Sequence, residues 1–173
     1  MLFFYVVGCL PLRFDVEGEV AYMNGDLGFR SPQIVTKLID KNPNLKSIVM
    51  EYCPGSLDDY AALRASRLIR KAGLSTRVAA DGEIASGAVD FFIAGVNRSV
   101  EAGSKVGVHS WSDGQVEGAD LERAHAEHDL YKDYYSEMGI PIEFYWFTLQ
   151  AASSDKIHWM SIGEMKEYKV LND

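Results

Sequence analysis

The spacing of apolar and polar positions changes period several times along this chain, and each change predicts a different element. Phe14 to Val20 alternates apolar with polar residues, as a half-buried strand does. A polar turn follows at Asn24-Gly25-Asp26. Ser31-Pro32 then opens a helix with a cap and a first-turn proline, and Ile34, Val35, Leu38 and Ile39 share its apolar face. Asn42-Pro43 ends it. Ser47 to Met50 reads as a short strand running into Cys53-Pro54-Gly55-Ser56. A second helix carries Leu57, Tyr60, Leu63, Leu68 and Ile69, with Asp58-Asp59 in its first turn, where acids suit the helix dipole. Gly73 closes it, and Thr76 to Ala80 is the next strand.

The segment from Val78 to Trp111 reads as a strand, a sharp turn at Ser86, a buried helix over Val89 to Val96, a hairpin, and a strand ending at His109. Beyond it, Leu121, Ala124, His128, Tyr131, Tyr135 and Met138 recur at spacings of three or four, predicting one long helix from about Ala119 to Met138. A further helix is expected from Ile142 to Ser153. Ser161 with Glu164 makes a capping box for a short helix to Tyr168, and Lys169-Val170-Leu171 reads as a final strand. Alternation of strands and helices predicts an α/β fold with parallel strands and crossover helices.

Composition narrows the function classes. A formal net charge of −8 argues against nucleic acid as the main partner, since phosphate binding relies on a basic surface. The two cysteines, Cys9 and Cys53, form neither a metal-ligand pattern nor a disulfide framework. Glu122, His125, His128 and Asp129 have near-metal spacing, but charged helices produce such spacing by chance, so no metal and no cofactor are expected. No apolar run reaches the ~18 residues that span a bilayer. Residues 1–13 read as an apolar segment, an extra strand or a truncated targeting sequence, ahead of a domain over 14–173. Its start, Met1 to Cys9, lacks the basic opening of a secretory signal, which favours the cytoplasm. Val6-Val7-Gly8-Cys9 resembles a lipoprotein cleavage site and keeps the cell envelope as the alternative.

Ser86 is the candidate nucleophile. Ala85, Gly87 and Ala88 around it are small and let a substrate backbone approach. A helix beginning there presents unpaired N–H groups to a developing oxyanion. A serine hydroxyl needs a base within hydrogen-bond reach, and His109 follows on the next predicted strand end. The plain alternative is a capping serine and a structurally satisfied histidine. Ile84 and Ala88 stand where a Gly-x-Ser-x-Gly elbow has glycines, so an α/β-hydrolase is not indicated.

Five segments, in order, carry a resemblance: Phe14 to Val20 with Gly18; Cys53-Pro54-Gly55-Ser56; Ala85-Ser86-Gly87-Ala88; Val106-Gly107-Val108-His109; and Trp159 to Tyr168. Together they resemble the Clp-protease/crotonase superfamily, and within it the Clp protease proteolytic subunit. The resemblance implies repeated β-β-α units, a mostly parallel sheet and a long protruding helix. It also implies a serine peptidase in which Ser86 attacks and His109 is the base. The Gly87 N–H and the N–H at Ser56, after Gly55, would hold the oxyanion. Ser56 stands where the family has a glycine. The family's aspartate position holds Ile157, which leaves Asp155 as the expected orienting acid. An extended peptide or protein substrate would lie beside Arg98 to Glu101, touching Arg98 and Val100. A ring-forming homo-oligomer, trimer or larger, would pair through residues 119–138, with Tyr131 and Tyr135 at the contacts. The alternatives are a catalytically silent binding or assembly module, and behind it an acyl-CoA-binding crotonase relative.

Overall fold

The computed structural model describes residues 10–172; the apolar start Met1 to Cys9 lies outside them, and with it the targeting question. Seven strands form one mixed sheet. Strand β1 (Arg13–Glu17) turns at Gly18, whose φ of +60° favours glycine, into antiparallel β2 (Val20–Asn24). The alternation read as one strand over Phe14 to Val20 is therefore interrupted by this turn. Helix α1 (Ser31–Lys41) crosses to β3 (Ser47–Cys53), parallel to β2, and α2 (Asp59–Lys71) crosses to β4 (Ser75–Ala85), parallel to β3.

The inner face of α2 differs from the expected one. Ala61, Ala62, Leu63, Ala65, Ser66 and Ile69 are buried, whereas Leu57 and Tyr60 are exposed. The many alanines make a second low-relief stripe that an apolar-residue pattern underweights. Asp58 is the cap of α2 and accepts the Ala61 N–H at 2.9 Å.

Helix α3 (Gly87–Ile93) follows β4 directly and is buried along its length. Strands β5 (Arg98–Val100) and β6 (Lys105–Val108) do not pair as the expected hairpin. Each runs parallel to β4, β5 beside Thr76 to Val78 and β6 beside Glu83 to Ala85. A two-residue strand, β7 (His158–Trp159), lies antiparallel to β6.

The expected twenty-residue helix is half that length. Helix α4 spans Asp129–Met138, preceded by short 3-10 turns at Gly118–Asp120 and Ala126–His128. Residues 122–127 are exposed, so Ala124 has no apolar surface to cover and no packing sustains a helix there. Tyr131, Tyr134, Tyr135 and Met138 are buried within the chain. Tyr131 and Tyr135 thus belong to its own core and not to an outward stripe available for contacts between copies. Helix α5 (Ile142–Ala151) packs beside α4. Helix α6 (Ile162–Glu167) has the expected capping box, with both of its hydrogen bonds formed. The segment Lys169 to Leu171 is a turn, not a strand.

Candidate active site

Ser86 sits where β4 ends and α3 begins, with φ 55° and ψ −134°. That left-handed conformation costs a non-glycine residue about 1–3 kcal/mol. It is held by the Ser86 N–H donating to the Gly107 carbonyl at 3.0 Å, and by the Ser86 carbonyl accepting from the Val89 N–H at 2.8 Å. Among the described residues, the Ser86 hydroxyl has no hydrogen-bond partner. At this corner, at the C-terminal end of the central strand β4, Ser86 lines a cavity of about 50 Å³ together with Gly87, Val108, His109 and Trp111.

The glycine-rich turn between β3 and α2 comes to the same place. A side chain on Gly55 would lie 3.3 Å from the Ser86 Cβ, and a Cβ on Gly87 would collide with the Ser56 side chain. Gly55, Ser56, Ser86 and Gly87 therefore form one cluster. Leu27 bridges Ser56, using the Gly55 carbonyl and the Leu57 N–H, so the Ser56 N–H points the other way. Its nitrogen lies 3.3 Å from the position a Gly87 Cβ would take. Gly87 is the first residue of α3, and its N–H has no intrahelical acceptor.

His109 follows β6 and lines the cavity. Its Nδ1 lies 2.7 Å from the Ser110 carbonyl oxygen. A carbonyl can only accept, so Nδ1 carries the proton of the neutral ring and Nε2 is the basic nitrogen. Asp155 is not joined to it. The Asp155 carboxylate is exposed and accepts the Ser153 hydroxyl at 2.5 Å. The loop after α5 closes on itself there, while the neighbouring Ala152 carbonyl takes the Ser110 N–H at 2.8 Å.

Arg98 and Val100 do not line this cavity. Arg98 is buried, and its guanidinium donates to the carbonyls of Val170 at 2.8 Å, Gly95 at 2.9 Å and Lys169 at 3.0 Å. Asn172 lies along β5, its Oδ1 accepting the Arg98 N–H at 2.7 Å. This arginine ties the C-terminal turn to the sheet, and the strand edge expected to receive substrate is occupied by the chain itself. Its burial was not visible in a sequence where arginines are usually exposed.

The acidic and aromatic part of the cavity lining was not anticipated. Asp59, Asp90, Tyr131, Tyr135 and Tyr145 all line it. The Tyr131 hydroxyl donates to Asp59 Oδ2 at 2.6 Å, and the Ser56 hydroxyl donates to Asp59 Oδ1. The Tyr135 hydroxyl donates to Asp90 Oδ1 at 2.8 Å. Tyr145 receives the Trp111 indole N–H at 2.9 Å and pairs with buried His128 at 2.6 Å. An aspartate inside an apolar run, here Asp90, was the one available signal.

Burial pushes the Asp90 carboxyl up from 3.8 to about 7; the Tyr135 hydrogen bond opposes this and the Asp59 charge adds to it. Burial likewise holds the Tyr131 and Tyr135 phenols well above their usual range. For Asp90 the sign is that of a raised acid. The unfolded chain releases this proton near pH 4 and the folded chain near 7, so stability falls as pH rises between them, by up to ~4 kcal/mol. Asp90→Asn removes the ionisation and leaves an oxygen for Tyr135. It is expected to melt several degrees above the wild type at pH 8, with the gap closing towards pH 4, when thermal unfolding is followed across that range. A gap of equal size at both pH values would mean that Asp90 does not titrate with folding.

No protein-family model matches the chain, and no curated protein matches it. Solved structures do. The 1510-N membrane-bound stomatin-specific protease, as a serine-to-alanine mutant, is similar with a TM-score of 0.59 at 14% identity, over 88% of this chain and 76% of that one. Its lysine-to-alanine mutant in complex with a substrate peptide is similar at 0.53 and 14% identity, over 91% and 75%. A Pseudomonas aeruginosa protein is similar at 0.52 and 12% identity, over 96% and 77%. At such identities the likeness is one of fold: the chain has an α/β architecture of the same class as these proteins, consistent with the Clp-protease/crotonase-like fold.

Proposed function

We propose that this protein is a serine hydrolase acting on peptide bonds, with Ser86 as nucleophile and His109 as base. The observation that carries the reading is that Ser86, held at a strained strand-to-helix corner, opens with His109 and Gly87 into one cavity. Two of the fold neighbours are described as proteases, one of them holding a substrate peptide. In the proposed reaction, His109 Nε2 takes the Ser86 hydroxyl proton as Oγ bonds to the scissile carbonyl carbon. The oxyanion is received by the N–H groups of Gly87 and Ser56, each such donor being worth about 10²–10³ in rate. The imidazolium returns its proton to the leaving amine, and water then hydrolyses the acyl-serine by the same route.

The Ser110 carbonyl takes the part an aspartate plays elsewhere, fixing the His109 tautomer without adding a negative charge. Asp155→Asn is therefore expected to leave hydrolysis within a few-fold of wild type. A loss approaching ~10⁴ would put Asp155 against His109 during turnover instead. The competing reading, a silent binding module, is favoured by the Ser56 side chain, which packs against Gly87 beside the proposed hole. A fluorophosphonate separates the two: labelling of the wild type that is lost in Ser86→Ala supports the hydrolase, and no labelling of folded wild type overturns it.

A further inference from the structure

The cavity beside the nucleophile carries an unmatched carboxylate oxygen. Asp90 follows Ser86 by four residues, just over one helical turn, which puts it on the same face about 6 Å further along the axis. Side chains on a helix lean towards its N-terminus, here towards Ser86. Asp90 is 9% exposed, and its Oδ1 is taken by the Tyr135 hydroxyl. No hydrogen bond reaches its Oδ2 among the described residues, and the side chain lines the cavity. The carboxylate of Asp59, by contrast, has a hydroxyl on each oxygen. No lysine or arginine lines the cavity. Tyr131 stacks between Trp111 and Tyr145, with ring centroids 6.2 and 5.6 Å away, so that the lining is aromatic as well as acidic.

We propose that Asp90 sets the specificity of the Ser86 site by receiving, on Oδ2, the ammonium group of a lysine side chain in the residue whose carbonyl Ser86 attacks. This rests on the hydrolase reading above. The distance of one helical turn suits the reach of a lysine from the attacked carbonyl. The volume, about 50 Å³ against the ~10–15 Å³ one water needs, has room for an ammonium and its last methylenes. The aromatic faces suit the methylenes and the cation alike. A neutral aliphatic side chain of the same length would leave Oδ2 buried and unpaired.

The preference depends on pH. The groups facing Asp90 are Asp59 from α2, Tyr131, Tyr134 and Tyr135 from α4, Tyr145 from α5, and His109 after β6. The phenols stay neutral through the working range, and Asp59 helps to keep the Asp90 proton on. Loss of the proton near pH 7 creates the anion that the ammonium pairs with.

The test uses two peptidyl diphenyl phosphonates that differ only in lysine or norleucine at the phosphorus-bearing residue, with their rates of covalent labelling compared. Any effect of pH on the shared attack step acts on both rates and cancels in their ratio. The expected ratio favours lysine by about ten- to a hundredfold at pH 8, falls steadily from pH 8 to pH 6, and collapses in Asp90→Asn. The pH series needs no variant, so a poorly folded Asp90→Asn does not rescue the idea. Equal labelling by the two phosphonates, or a preference that ignores both pH and Asp90→Asn, overturns this inference while leaving the hydrolase standing. Absence of labelling by a simple fluorophosphonate overturns both.

Discussion

Ser86→Ala is expected to lower peptide hydrolysis by about 10⁴–10⁶-fold while the melting temperature stays within a degree or two of wild type. The two halves of this expectation have separate causes. Removing Oγ removes the atom that forms the acyl-enzyme, so the residual rate comes only from the oxyanion donors and substrate binding. The fold is spared because the Ser86 hydroxyl has no hydrogen-bond partner among the described residues, and the backbone bonds that hold the corner, to Gly107 and Val89, do not involve the side chain. His109→Ala should cost nearly as much, and the double variant little more, since nucleophile and base act as one unit. Parallel measurement of turnover and thermal unfolding checks all three. Residual turnover within tenfold of wild type in purified Ser86→Ala would move the chemistry to another residue.

Arg98→Met is expected to do the reverse: a large loss of stability, with the surviving folded protein still reactive towards a fluorophosphonate. Methionine fills much of the space of the arginine stem but donates nothing. The carbonyls of Gly95, Lys169 and Val170 would then lose their guanidinium partner in a buried setting. An unsatisfied buried acceptor costs about 1–3 kcal/mol, and loss of the clamp as a whole about 3–5 kcal/mol. That is a large part of the ~5–15 kcal/mol by which a domain is stable. Lys169 also has a φ of 55°, so the turn that Arg98 holds is itself strained. Urea unfolding should show a lower midpoint at nearly unchanged slope. Unchanged stability together with loss of labelling would return Arg98 to the substrate-binding role that the sequence suggested for it.

The contrast between these two residues shows what each level of description decides. Short-range patterns determined much of the fold. Apolar spacing and first-turn residues placed α1 and α2, a helix stop at Gly139-Ile140-Pro141 placed α5, and a capping box placed α6; Ser31, expected as the cap of α1, is instead its first helical residue, after Arg30. The β-α alternation correctly indicated parallel strands at the centre of the sheet. Small residues around Ser86, and the order of the glycine turn, the serine and the histidine, also named segments that the fold brings together: Gly55 and Ser56 lie against Ser86 and Gly87, and His109 shares their cavity. These are local properties, because a cap, a turn or a period is specified within a few residues.

Tertiary structure alone decided who the polar groups meet. Asp59 reads locally as a helix-start acid, yet its partner is Tyr131, 72 positions away. Tyr135 reads as part of an outward stripe, yet it bonds Asp90 in the core. Arg98 reads as an exposed cation beside a substrate, yet its ligands are carbonyls 71 and 72 positions along the chain. Asp155 sits near the expected place in sequence, but a loop bonded within itself keeps it from His109. Periodicity reports which face of an element is apolar, not which element covers it. A polar side chain inside a protein is defined by a partner whose distance in sequence carries no signal, and it is such partners that form the acidic, aromatic lining beside Ser86.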